Sequence, residues 1–128
     1  MSFIVKKMAD APAVLVQTGA DFDPEAELET VVKESTRLIA EQPTPSYVIW
    51  DARNAPTTVD IIVKGANISR SLETPANQVG TIVITTTQAV KMAMEGMNSR
   101  VFGHITIPVF ENLDEAVAYA RQQVETLS

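Results

Sequence analysis

The feature that most constrains this chain is the run Tyr47-Val48-Ile49-Trp50, unbroken apolar sequence between a proline loop and Asp51. A strand with one solvated face alternates apolar and polar residues, because successive side chains point to opposite sides. An unbroken run instead fits a central parallel strand covered on both faces, and it predicts that Trp50 is mostly buried. Parallel strands cannot be joined by tight turns, so helical crossovers have to lie between them.

The flanking sequence supplies such crossovers. Asp23-Pro24 is a helix start: aspartate caps free backbone N–H groups, and proline has the φ of a first helical residue. Glu25, Glu27 and Glu29 follow near the positive end of the dipole. Leu28, Val31, Val32, Leu38 and Ile39 recur at helical spacing, and Pro43 and Pro45 end the helix near Gln42. After Asp51 a loop to Pro56 leads to a second helix, capped by Thr57 or Thr58. Its expected buried face is Val59, Ile62, Val63 and Ala66, extended by Leu72 and closed at Pro75. A third helix is predicted from about Gln88 to Phe102, with Thr87 as cap and Gly103 as stop. Val90, Ala93, Met94, Met97 and Val101 line one side of it. Asn112-Leu113-Asp114-Glu115 resembles a capping box opening a last helix. Leu113, Ala116, Val117, Ala120, Val124 and Leu127 form its apolar side.

Strands are expected at Phe3 to Met8, Val14 to Thr18, Tyr47 to Trp50, Val79 to Thr85 and Ile105 to Phe110. The link Ala9-Asp10-Ala11-Pro12 suits a hairpin. Pro108 lacks a backbone donor, which makes the last strand an edge or a bulged strand. The order ββαβαβαβα gives an α/β fold with a five-stranded mixed, partly parallel sheet and four helices. The 128 residues contain no repeat or low-complexity linker, so a single domain over 1–128 is expected.

Composition narrows the chemistry. With no cysteine, thiolate catalysis, disulfides and zinc–thiolate sites are excluded. Ten basic against 16 acidic residues leave a net charge of -6, which disfavours contact with phosphate backbones and anionic membranes. No segment approaches the roughly 18 apolar residues of a membrane span, and the amino-terminal residues place apolar before basic, the reverse of a leader peptide. A cytoplasmic protein without nucleic-acid partners is the expectation.

Candidate chemistry is sparse. His104, the single histidine, has no partner motif and reads as a loop residue. The glutamates Glu25, Glu27, Glu29 and Glu34 lack further ligands at fixed spacing and read as a solvated helix face. Met92, Met94 and Met97 could form an adaptable apolar wall, but their helical period points to the core. Thr85-Thr86-Thr87 lacks the glycine-rich loop of a phosphate cradle. Asn67-Ile68-Ser69 matches a glycosylation pattern without meaning in a cytoplasmic protein. No catalytic residue, metal site or cofactor is expected. The most informative segment is Asp51 to Asp60, because binding sites of open α/β sheets gather at the carboxyl ends of strands. Its candidate surface residues are Asp51, Arg53, Asn54, Thr57, Thr58 and Asp60. A capped turn serving the helix start is the simpler account of the same residues.

That segment, with Val79-Gly80-Thr81-Ile82-Val83-Ile84, Arg100-Val101-Phe102-Gly103, Ile107-Pro108-Val109-Phe110 and Leu113-Asp114-Glu115-Ala116-Val117-Ala118-Tyr119, resembles the SpoIIAA-like or STAS superfamily of sulfate-transporter domains and anti-sigma-factor antagonists. The resemblance implies an initial strand pair followed by βα units, a fold class shared with CRAL-TRIO lipid-binding domains. In antagonists a strand-end acidic or amide residue is followed by Asp-Ser-Ser-Gly, whose first serine is the phosphorylation switch. Asp51 matches the strand end, but an ungapped count places Val59-Asp60-Ile61-Ile62 opposite that motif. Asp60 stands where the serine would be, so the phospho-switch does not carry over. The resemblance implies a non-enzymatic regulatory or interaction module, binding a protein partner or forming a homodimer. The alternative is a carrier of a lipid or other apolar small molecule.

Overall fold

A computed structural model describes residues 3–54, 60–61, 64, 67–68, 75–88, 90–92 and 107–127. Among the described residues, the five strands are β1 (Phe3–Lys7), β2 (Ala13–Thr18), β3 (Ser46–Asp51), β4 (Gln78–Ile84) and β5 (Val109–Phe110). They form one sheet in the order β1-β2-β3-β4-β5. β1 and β2 are antiparallel, and the remaining neighbours are parallel. The expected α/β class and mixed five-stranded sheet are therefore present. The hairpin link closes where Met8 N–H donates to the Ala13 carbonyl at 3.0 Å.

β2 and β3 show why the apolar run matters. Ala13, Leu15, Tyr47 and Ile49 pack into one cluster, and Val14, Val16 and Val48 into another. The two clusters are the two faces of the sheet, each completed by a helix. α1 (Pro24–Ala40) covers one face with Leu28, Val31, Val32 and Ile39. α2 (Leu113–Thr126) covers the other with Ala116, Val117 and Ala120. Burial of a branched aliphatic side chain such as Ile39 or Ile49 stabilises by roughly 1.5–3 kcal/mol.

Both helices start as their sequences predict. Asp23 Oδ1 accepts from Glu25 N–H at 3.1 Å, and Asp23 N–H donates to Glu27 Oε1 at 2.9 Å. Asn112 Oδ1 accepts from Glu115 N–H at 2.9 Å. The last carbonyls of a helix lack internal partners. At the end of α1, Asn77 meets this need: its Nδ2 donates to the Ile39 carbonyl at 2.7 Å and the Gln42 carbonyl at 3.1 Å. The start of β4 is thereby tied to α1.

Trp50 is mostly covered, as expected, with part of its surface open near the end of its strand. It meets Phe22 edge-on at 6.4 Å, and Phe22, absent from the expected core, is buried. Leu127 is 60% exposed, since α2 has ended and the chain has left the sheet. Met92 is 63% exposed and so is no core residue, while its neighbour Val90 is buried. Ile61 and Ile68, outside the expected stripe, pack against the α1 cluster.

The other two expected helices are partly visible. Asp60, Ile61, Lys64, Asn67 and Ile68 are helical, as are Gln88 and Val90 to Met92. Val59, Ile62, Val63, Ala66, Leu72, Ala93, Met94, Met97, Val101 and His104 lie outside the described residues. Ile107 and Pro108 precede β5 rather than belonging to it, and Pro108 offers its carbonyl to Val83 N–H at 3.0 Å.

Candidate functional site

The carboxyl ends of β2, β3 and β4 bring together residues distant in sequence. Register places Gln17 beside Asp51, and Asp51 beside Ile84. The ladder runs one step further, as Ala52 N–H donates to the Ile84 carbonyl at 2.9 Å. Thr85 N–H donates to the Phe110 carbonyl at 2.9 Å.

Asp51 is the centre of this edge. Its side chain is only 1% exposed. A carboxylate so placed needs compensation, because removing a charge from water costs several kcal/mol. Arg53 supplies most of it. Asp51 Oδ1 accepts from Arg53 Nε at 2.9 Å and from Arg53 N–H at 3.2 Å. Oδ2 accepts from Arg53 Nη2 at 2.8 Å and, more weakly, from Gln17 Nε2 at 3.5 Å. The side-chain pair is bidentate, which fixes the plane of the guanidinium. Burial is the largest influence on the carboxyl and opposes its ionisation. The hydrogen bonds and charge of Arg53, helped by Gln17, outweigh it and hold Asp51 below the ordinary aspartate range. The arginine is correspondingly pushed up, chiefly by its hydrogen bond to Asp51.

The bond from Arg53 N–H also closes a tight turn as the chain leaves β3, a local use to which aspartate is suited. Asp51 thus closes a turn and fixes the orientation of Arg53. Arg53 and Asn54 are exposed there, as are Thr86 and Thr87 after β4. Thr85 is buried, and its Oγ1 accepts from Thr87 N–H at 3.2 Å. Asp60 is exposed and helical. Thr57 and Thr58 lie outside the described residues. Sequence reasoning missed Gln17, because only strand register brings it to this edge.

Two other features frame the site. The strands run in sequential order, so the sheet lacks the reversal of strand order that opens a crevice in doubly wound folds. At the opposite end of the sheet, Pro12, Thr44, Pro45, Arg121, Val124, Glu125 and Leu127 line an open groove of about 390 Å³. Arg121 reaches the Asp10 carbonyl there through Nε, at 3.1 Å, and through Nη2.

Among the described residues, no group of three or more histidine, aspartate or glutamate side chains could hold a metal ion. Among them too, no helix is long and apolar enough to cross a membrane. Comparison of the chain with known protein families, curated proteins and solved structures found no match.

Proposed function

We propose that this chain is a non-enzymatic regulatory or protein-interaction module of STAS-like type, with four helices in the order ββαβαβαβα, acting in the cytoplasm. Its partner surface is the rim at the carboxyl end of β3. One observation carries this reading: Asp51 is buried and both its oxygens are engaged, so it presents Arg53 instead of acting on a substrate. An arginine held in one geometry loses less side-chain freedom on binding, and such arginines are enriched among the residues that dominate interfaces. Asn54, and in the sequence Thr57, Thr58 and Asp60, extend the polar rim.

Native mass spectrometry of the purified domain tests the proposal. The expected result is a homodimer or a co-purified protein, lost in Asn54→Asp, which leaves the Asp51–Arg53 pair in place. A monomer that retains an apolar small molecule would overturn it in favour of a carrier. Asp60→Ser adds a second reading of the rim. If Asp60 only favours the start of its helix, the change costs about 0.3–1 kcal/mol and leaves association untouched. If Asp60 contributes a fixed charge to the partner surface, association changes while stability holds.

A further inference from the structure

No further inference is drawn: the strongest candidate, the open apolar groove of Pro12, Pro45, Val124 and Leu127 at the amino end of the sheet, carries nothing because Arg121 on its rim is committed to Asp10 and nothing in the structure shows what covers it.

Discussion

Replacing Arg53 with glutamine tests the physical centre of the site. The substitution removes the Nε and Nη2 bonds to Asp51, at 2.9 and 2.8 Å, and the charge that faces the buried carboxylate. Breaking one side of a buried ion pair costs about 3–5 kcal/mol. Here the loss is smaller for two reasons. The Arg53 side chain is 34% exposed, so water already screens part of the interaction. The backbone N–H of residue 53 and the Gln17 amide also stay on the carboxylate. An expected loss of about 1–3 kcal/mol at neutral pH follows.

The pH dependence separates this cause from ordinary packing loss. In the native protein the Asp51 carboxyl lies below its unfolded value of about 3.9. Its stabilisation is therefore present above that value and lost as pH falls through the folded pKa. In Arg53→Gln the side-chain hydrogen bonds and charge that lower the folded carboxyl are gone, so it moves upward. The variant then gains less stability than the native protein as pH rises through the carboxylate range, so the two proteins diverge most at neutral pH. Urea unfolding of both at about pH 7 and about pH 4 reads the difference. The double variant Asp51→Asn/Arg53→Gln should recover part of the neutral-pH loss, since no uncompensated charge remains. An equal loss at both pH values, or none at neutral pH, would refute the argument.

Three further outcomes are expected. In Gly80→Ala, the new Cβ would lie 3.2 Å from Tyr47 Cε1, and Tyr47 is buried and edge-on to Tyr119 at 6.0 Å. Crowding should outweigh the entropic gain and cost about 1 kcal/mol; an unchanged or higher denaturation midpoint would contradict it. Asn112→Ala removes the acceptor for Glu115 N–H and should lower stability by about 1 kcal/mol, measured by thermal melting, with no loss if the cap is immaterial. Trp50 is half-buried, and its Nε1 donates to Thr18 Oγ1 at 3.4 Å, so its fluorescence should be partly accessible to acrylamide. Quenching like that of free indole would rule out this placement.

Much of the architecture was legible because its signals are local. A cap acts over one helical turn, and Asp23 and Asn112 open their helices where the sequence places them. The stripe Leu28, Val31, Val32 and Ile39 identified the buried side of α1, and the apolar run identified β3. Periodicity was less able to say where a covered surface stops. Leu127 continues an apolar pattern but sits past the end of its helix, where coverage fails. Phe22 has no pattern of its own, lying just before α1, yet it fills the space between Phe3 and Trp50.

The candidate site divides along the same line. By itself the sequence determined that Asp51 ends an apolar strand, that Arg53 and Asn54 follow in a turn, and that strands alternate with helices. Each depends on neighbours within a few residues. Only the tertiary structure decided that Gln17 lies beside Asp51, that Asn77 holds the end of α1, and that the Asp51 carboxylate is buried. A strand's side chains alternate in the same way whichever strand it joins, so alternation cannot name its partner. Strand register, set by packing both sheet faces at once, places Gln17 beside Asp51 and helps compensate its buried charge.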